Sequence, residues 1–340
     1  MGSQDEFAKQ VADANTFPLW EIGKVMGKAS IQAHLWSWAE MRRLMFEAAE
    51  AHDQIEKGGE RRALLLINPA SRLEELRTSN SLVAAIQLIK PGEEAGAHRH
   101  TAMALRFIIE GSGAYTIVNG EKIVMEQGDL VITPQWAWHD HAYSGAKPEP
   151  MLWLDALDSP IGQFMNAFFI ERYSRHMQDE TVREGLAVSR LGAGLMRSPG
   201  AGPAERNVPM IYKWEPCYRA LLETRDQDPC DGAILEYTNP VDGGHTLPST
   251  ACALQRLLPD QSGASHRHTS STIYHVVRGE GCTTIDGREF RWTRGDTFVV
   301  PSWAVHGHAN ASAQHEAVLF SLSDKPVLEA LNLYREEAVS

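Results

Sequence analysis

Three histidines have the residue type and spacing of a metal site. His98 and His100 are separated by one residue, so on a β-strand both imidazoles point to the same face. His139 follows 39 residues after His100, beyond several short segments of strand-like composition. Neutral imidazole binds iron, zinc, copper and nickel, so these residues predict a metal site without naming the ion.

Four polar residues lie in or beside strongly apolar segments, namely Arg62, Gln87, Arg106 and Asp155. Arg106 comes six residues after His100, an even offset that places both on one face if the strand is continuous. A buried arginine needs an anionic partner, and a substrate carboxylate would supply one. An internal ion pair or a place at the surface also explains each residue when it is taken alone.

The elements that must position these residues are short β-strands. Apolar segments ended by proline or glycine follow one another from residue 62 to residue 157, as in an antiparallel barrel or jelly roll. Asn119-Gly120 between two of them predicts a tight hairpin. Helical spacing appears over residues 34–52 and 160–177. We expect the first of these helices to pack on a barrel or on another subunit.

The second half of the chain repeats the first at an offset close to 168 residues. His266, His268 and His306 take the positions of the three histidines, and so many agreements at nearly one offset indicate an internal duplication. The charged residues are not repeated, since Tyr274 stands in the place of Arg106. We therefore expect the anion-binding site in the first copy only. The second triad is either another metal site or a structural remnant.

Composition and charge limit the function classes. The net charge of −12 argues against a general nucleic-acid binder, because no basic excess is present to neutralise phosphates. The four cysteines lie in the second half without a CxxC spacing, which favours reduced thiols over a disulfide framework. We find neither a signal-peptide pattern nor an apolar run of about 18 residues. The sequence thus predicts a cytoplasmic protein without a membrane partner.

The paired histidines followed by Gly128-Asp129, Pro134 and His139 resemble the cupin superfamily, and the resemblance occurs twice. It implies an all-β dominated bicupin, with two tandem double-stranded β-helix (jelly-roll) barrels and flanking helices. The expected parts are an N-terminal arm and helix at 1–58, a catalytic N-terminal cupin at 59–180, a linker at 181–214 and a C-terminal cupin at 215–340. Most cupins add a glutamate shortly after the paired histidines. Both copies lack it, which leaves a three-histidine site with about three open positions.

Over roughly residues 15–335 the chain resembles the gentisate 1,2-dioxygenase family of bicupins. The resemblance rests on five motifs: Arg61-Arg62 before Asn68-Pro69, Gln87-Leu-Ile-Lys-Pro-Gly-Glu, His98-Arg-His before Leu105-Arg-Phe, Thr133-Pro-Gln-Trp-Ala-Trp-His-Asp-His and Trp153-Leu-Asp. It implies Fe(II) as cofactor and an O2-dependent opening of an aromatic hydroxy acid, gentisate or a salicylate, between its carboxyl- and hydroxyl-bearing carbons. A small aromatic carboxylate and O2 would be the partners, and a homotetramer the assembly.

The same resemblance implies roles for individual residues. The iron ligands would be His98, His100 and His139, and the substrate-binding residues would be Arg106, Arg62 and Gln87. The catalytic residues, which handle the phenolic proton or orient the substrate, would be His141 and Asp155. The duplication, rather than the resemblance, adds a possible second metal site at His266, His268 and His306.

Several alternatives stay open at this point. Within the family, salicylate, a 5-substituted salicylate or 1-hydroxy-2-naphthoate could replace gentisate as the substrate. Outside it, a storage or sugar-binding bicupin would not consume oxygen. A diketone- or quercetin-cleaving dioxygenase, or a metal-dependent isomerase, would not need an arginine pair for a carboxylate.

Overall fold

The computed structural model describes residues 31–51, 62–72, 75–144, 147–187, 211–240 and 242–339, with a few isolated positions besides. Most of the expected arm (1–58) and linker (181–214) lies outside these residues, and the expected domain boundaries stay predictions. Every element below belongs to the unit from Ile31 to Ser340.

The first copy and the segment before it form short strands with two helices. In chain order they are β1 (His34–Trp36), α1 (Trp38–Ala51), β2 (Ala63–Leu65), β3 (Val83–Ile89), β4 (Glu94–His100), β5 (Ala104–Glu110), β6 (Tyr115–Val118), β7 (Glu121–Val124), β8 (Leu130–Thr133), β9 (His139–Ala142), β10 (Met151–Leu157), α2 (Ser159–Phe164) and β11 (Ile170–Arg172).

The second copy repeats this order. Its elements are β12 (Ile211–Tyr212), α3 (Trp214–Glu223), β13 (Ala233–Glu236), β14 (Ala251–Leu257), β15 (His266–His268), β16 (Thr272–Arg278), β17 (Glu280–Ile285), β18 (Arg288–Thr293), β19 (Thr297–Val300), β20 (His306–Asn310), β21 (Ala317–Ser323), α4 (Lys325–Ala330) and β22 (Glu336–Ala338).

Each copy contains a six-stranded and a five-stranded antiparallel sheet. The first copy has the orders β12-β8-β5-β10-β3-β2 and β11-β4-β9-β6-β7, and the second has β1-β19-β16-β21-β14-β13 and β18-β17-β20-β15-β22. In the first copy, Ile108 and Trp153 of the larger sheet pack with Val118 and Ile123 of the smaller one, so the two sheets enclose an interior. The expected all-β dominated bicupin architecture with flanking helices is confirmed.

Both faces of the six-stranded sheets are buried. All seven residues of β3 are buried, because its residues alternate between the interior of the first copy, where Ile89 lies, and a second apolar cluster that contains Leu88. That cluster also holds residues of the second copy, and Phe107 stacks on Phe320 with ring centroids 4.3 Å apart. Burial on both faces explains why β3 is apolar at every position except Gln87.

The strand before each copy completes the sheet of the other copy. β1 pairs with β19, and β12 pairs with β8. The helices that follow remain with their own copies, α1 on β2 and β3 and α3 on β13 and β14. The first turn of each helix is capped across the copies: the backbone N–H of Trp38 donates to Asp296 Oδ1 at 2.8 Å, and that of Trp214 to Asp129 Oδ1 at 3.0 Å.

Two helix predictions need correction. The first helix begins at Trp38 rather than near residue 34, because His34–Trp36 pairs as a strand. The helix expected over 160–177 ends at Phe164, Asn166 takes the left-handed conformation with φ 54°, and the chain returns as β11 beside β4. Two aromatic residues of this stretch, Phe169 and Tyr173, contact Trp136 and Trp138 in the loop before β9. Within the described ranges, no helix combines the length and apolar character needed to cross a membrane.

Candidate metal centre

His98, His100 and His139 converge in the first copy. β4 and β9 are antiparallel neighbours, and His98 lies directly opposite His139. The ladder shifts register between Ala95 and His98, and one ligand-capable nitrogen from each of the three histidines lies within 4.8 Å of the others. Two adjacent strands therefore bring together residues that are 39 positions apart.

Backbone carbonyl groups orient all three imidazoles. The Nδ1 atoms of His98, His100 and His139 lie 3.0, 2.7 and 3.0 Å from the carbonyl oxygens of Gly96, Ala102 and Ala137. A carbonyl oxygen only accepts, so each Nδ1 carries the proton and each Nε2 keeps a lone pair. This arrangement suits a metal ion bound by three neutral imidazoles.

A cluster on the outer face of β4 holds this strand and the loop before β9 together. The Arg99 guanidinium lies 4.1 Å from the ring centroid of Trp136 and 4.4 Å from that of Trp138, and it forms a 2.6 Å ion pair with Glu171 of β11. Trp136 has φ 62°, and its N–H donates to the His100 carbonyl at 2.9 Å. We call these four side chains the Arg99 clamp. They join the two segments that carry the three histidines.

Arg106 lies on the interior face of β5, fully buried. Its Nη1 donates to Thr133 Oγ1 at 2.8 Å, and its Nε lies 3.3 Å from Asp155 Oδ1 on the neighbouring strand. Nη2 has no hydrogen-bond partner among the described residues. Burial lowers the pKa of Arg106 and Asp155 raises it. The structure thus presents a paired guanidinium with one donor atom still available.

Two further polar atoms in this interior lack partners in the described part of the chain. These are Gln87 Oε1 and Trp153 Nε1, on side chains that are opposite each other in the β3–β10 ladder. Strand alternation places both on the same face as Arg106 and Asp155. Buried polar atoms of this kind need a hydrogen-bonding partner, which a small polar ligand would provide.

His141 connects the histidine triad to this polar group. It is fully buried on β9, with its ring centroid 6.1 Å from that of His139 and 5.8 Å from that of Trp153. Asp140, between these histidines, points the other way, and its carboxylate accepts the backbone N–H of Gln178 at 2.9 Å. The histidine at 141 therefore shares the interior with the triad, whereas the aspartate does not.

Arg62 differs from the other predicted substrate residues. Its Nη1 and Nη2 donate to the two oxygens of Glu93 at 2.9 and 2.8 Å, a bidentate pair with little solvent exposure. The structure therefore gives Arg62 an internal carboxylate partner. Its assignment to the substrate stays a prediction, as do the other residue roles.

The second triad has the same construction around a different interior. Nitrogens of His266, His268 and His306 lie within 4.8 Å of one another. Burial lowers the pKa of His268 and holds that of His306 well below its usual value.

An aromatic pair fills the second interior where the first has charged groups. The Tyr274 ring stacks on Phe298 with centroids 5.0 Å apart and meets His308 edge-on at 4.7 Å. Ser321 lies opposite Tyr274, as Asp155 lies opposite Arg106. The second copy thus has no counterpart of the Arg106–Asp155 pair.

Two interior residues escaped sequence reasoning, Thr133 and Trp153. Thr133 ends an apolar strand at an even offset from Val131, and Trp153 precedes Asp155 by two residues. Strand parity alone would have placed both on the interior face. Without a known partner across the sheet, neither carried a chemical signal.

Known proteins are similar to this chain in sequence and in fold. A family model described as "Cupin domain" matches residues 85–156 and 253–323. The 5-aminosalicylate 1,2-dioxygenase of Comamonas sp. is 37% identical, over 98% of this chain and 90% of the relative. Gentisate 1,2 dioxygenase 1 of Aquipseudomonas alcaligenes is also 37% identical, over 97% and 95%. A crystal structure of salicylate 1,2-dioxygenase from Pseudoaminobacter salicylatoxidans, an adduct with gentisate, has a TM-score of 0.87 at 31% identity, with 99% of this chain and 94% of that chain covered.

Proposed function

Because the chain belongs to the gentisate 1,2-dioxygenase family of bicupins, we propose that it is an Fe(II)-dependent ring-cleaving dioxygenase. Its substrate is an aromatic hydroxy acid, gentisate or a salicylate, which it opens with O2 between the carboxyl- and hydroxyl-bearing carbons. One observation carries the proposal: the first interior combines three convergent imidazoles with a buried arginine that retains a free donor atom.

The residues of the first triad fit a ferrous ion. His98, His100 and His139 would hold it through Nε2, since each Nδ1 donates to a carbonyl. Three neutral ligands leave coordination positions open, where a bound Fe(II) would supply chelation of the substrate and activation of O2.

The charges of the interior match a dianion. Arg106 and Asp155 neutralise each other, and the imidazoles are neutral, so a ferrous ion would leave the site with two uncompensated positive charges. A carboxylate with an adjacent phenolate carries two negative charges. Complementary charge in a site without bulk water contributes strongly to binding.

The side chains around the triad would orient and deprotonate the substrate. Arg106 would donate from Nη2 to the carboxylate, and Thr133 holds the guanidinium in position. Gln87 Oε1 would accept a hydrogen bond from a ring substituent. His141 would take the phenolic proton, since imidazole exchanges protons near neutral pH, and Asp155 would fix the guanidinium and the substrate relative to each other.

The ring substituents of the substrate remain an open choice within this proposal. One substituent in an apolar pocket changes binding by about 1–3 kcal/mol. Salicylate, 5-substituted salicylates and 1-hydroxy-2-naphthoate are therefore alternatives to gentisate, and a non-catalytic or sugar-binding bicupin is a more distant one. We also propose a homotetramer in the cytoplasm. Family resemblance supports the tetramer, the four free cysteines support the compartment, and light scattering after gel filtration tests the assembly.

The test is anaerobic loading with Fe(II), followed by oxygen uptake with each of these acids. We expect uptake with at least one acid and a ring-opened product of matching stoichiometry. His98→Ala should lose both uptake and first-site iron, whereas His315→Ala, which changes an exposed histidine, serves as the matched control. An active, iron-loaded His98→Ala protein, or a wild type inactive with every acid, would contradict the proposal.

A further inference from the structure

We propose that the second copy holds a second divalent transition-metal ion on His266, His268 and His306, in an interior closed to aromatic acids. The ion has a structural role there: it joins β15 to β20. The proposal is independent of the reaction assigned to the first copy, because it rests on the geometry and the charges of the second copy alone.

The orientation of the imidazoles supports metal binding. Nδ1 of His306 donates to the Ala304 carbonyl at 3.0 Å, so its Nε2 holds a lone pair. Nε2 of His266 lies 2.8 Å from that atom. Two nitrogens at this distance need either a proton between them or a shared cation, and Nε2 of His268, whose Nδ1 lies 2.9 Å from the Ser270 carbonyl, is close enough to complete a three-ligand set.

His308 is not part of this ligand set. The Thr283 hydroxyl accepts the indole N–H of Trp292 at 2.9 Å and lies 2.8 Å from His308 Nδ1, so a hydrogen bond to Thr283 uses that nitrogen. Nε2 of His308 faces the Asp231 carboxylate at 3.9 Å, and His308 is not in the group of three convergent histidines. This leaves a triad of the same kind as the first one.

Two carboxylates lie near this triad, Asp231, which is partly buried, and Glu336, which is exposed. Asp231 Oδ1 accepts a hydrogen bond from Gln255 Nε2 at 3.1 Å and is the oxygen that faces His308. Glu336 Oε1 lies 4.0 Å from His266 Nδ1. The second site therefore has carboxylates near its imidazoles that would compensate part of the charge of a dication without any substrate. In the first interior, by contrast, Arg106 cancels the charge of Asp155.

The surrounding side chains exclude an aromatic acid. Tyr274 and Phe298 stack in the interior positions that Arg106 and Val131 occupy in the first copy. An aromatic carboxylate would have to displace this pair. Its carboxylate would also have no guanidinium at the position of Arg106 to bind, because Tyr274 stands there.

The strands that carry the second triad share few backbone hydrogen bonds, so a bound ion would help to hold them together. β15 contains only three residues and pairs with β20 at the single position His266–His306. Its other neighbour is β22, near the end of the chain. In the first copy the equivalent β4 has seven residues. An ion bound across β15 and β20 would replace part of the missing ladder.

The experiment counts metal ions per chain by mass spectrometry in the wild type and in matched variants of the two copies. Each variant is purified and loaded with excess Fe(II) or Zn(II), then freed of loosely bound metal. We expect two ions in the wild type, one in His139→Ala, one in His306→Ala and none in the double variant. Removal of the second-copy ion should lower the thermal midpoint of His139→Ala protein, and adding Zn(II) back should restore it.

Each other outcome has a definite meaning. One ion in the wild type and none in His139→Ala overturns this proposal, while the first site stands. One ion that persists in His139→Ala but is lost in His306→Ala supports it and contradicts the proposed function instead. Where His306→Ala does not fold, the count in His139→Ala alone decides.

Replacing the second ion with Co(II) tests whether aromatic acids can reach it. His139→Ala protein loaded with Co(II) should show a d–d absorption spectrum that gentisate and salicylate leave unchanged. A shift of that spectrum on addition of either acid would show that aromatic acids reach the second ion, which overturns the assignment of a closed site.

Discussion

Three residue positions separate the chemistry of the two copies. Arg106, Asp155 and Thr133 form a charged, hydrogen-bonded group in the first interior. The equivalent positions hold Tyr274, Ser321 and Val300, as the strand registers show. The histidine frameworks are alike, so the proposed difference between a substrate site in the first copy and a closed interior in the second depends on a few side chains.

Thr133→Val tests the support of Arg106 and introduces the residue that the second copy has at this position. The change removes the hydrogen bond to Nη1 with little change in volume, so the guanidinium loses one restraint. We expect KM for the aromatic acid to rise several-fold, with a smaller change in kcat. Steady-state oxygen uptake measures both constants.

Arg106→Lys is the stronger companion variant. It keeps one positive charge beside Asp155 but loses the planar fork, so KM should rise about tenfold or more. Arg106→Ala is less informative, because an unpaired buried Asp155 would cost about 3–5 kcal/mol of stability. An unchanged KM in Arg106→Lys would remove this residue from the substrate site.

Sequence patterns predicted the histidine triads more readily than their neighbours. The two-residue spacing of His98 and His100 is enough to predict that both side chains point to the same face of a strand. Thr133 and Trp153 acquire meaning only from partners on adjacent strands. The partner of Arg62, Glu93, is also identified only by the fold, since 31 residues separate the two.

The sequence predicted the strands themselves but not the contacts among the side chains on their exposed faces. Ala104–Glu110 and Met151–Leu157 match the apolar runs, and Asn119 and Gly120 have φ 48° and 83°, as a tight hairpin requires. The Arg99 clamp was missed, because alternation identifies the buried face and says nothing about which exposed side chains meet.

Arg99→Ala tests whether the clamp positions the first metal site. Loss of the cation–π contacts and of the ion pair with Glu171 should loosen β4 against the loop before β9. We expect first-site metal affinity to fall about 10- to 100-fold, as for other residues that orient metal ligands. Competition with a chelator measures it. Arg172→Ala, at an exposed arginine of β11, is the control, and equal losses in both variants would contradict a positioning role.

The two copies are joined by reciprocal contacts at the scale of the whole molecule. Each contributes the first turn of a helix to a Gly-Asp corner of the other, Trp38 at Gly295-Asp296 and Trp214 at Gly128-Asp129. Sequence comparison of the repeats did not reveal that β1 and β12 each join the sheet of the other copy, because strands of two or three residues carry no periodic signal.

Gly295→Ala tests this docking. An added Cβ would lie 2.4 Å from Trp38 Cγ, at a position where φ is 92°. Gly92→Ala is the matched control, since φ is 85° there and no atom lies within 4 Å of the added Cβ. In both variants the positive φ costs an alanine about 1–2 kcal/mol. The additional loss of unfolding free energy in Gly295→Ala, measured by urea unfolding, is therefore due to the clash between the copies. Equal losses would show that the contact is dispensable.

His275 makes the junction between the copies sensitive to acid. It lies 5.8 Å from Phe107, its equivalent in the first copy, and burial lowers its pKa to about 3. The folded protein therefore keeps this imidazole neutral, while the unfolded chain protonates it below pH 6.5. Its contribution to stability is complete above pH 6.5 and is lost as the pH falls from 6.5 toward 3.

His275→Phe should reduce this loss. Between pH 7 and pH 4.5 the wild type should lose roughly 2–3 kcal/mol more unfolding free energy than the variant. Urea unfolding of both proteins at the two pH values measures the difference, and all other titrating groups are common to both. Parallel pH profiles would contradict the assignment.

The exchange of β1 and β12 has a consequence for how the chain reaches its folded state. Either copy produced alone would expose the edge of β8 or β19, and would carry a strand with no edge to join. Two separate molecules could satisfy both edges only by meeting, at a rate that depends on their concentration. Covalent linkage keeps the partner at a fixed effective concentration, so the duplicated chain can complete its sheets at any dilution.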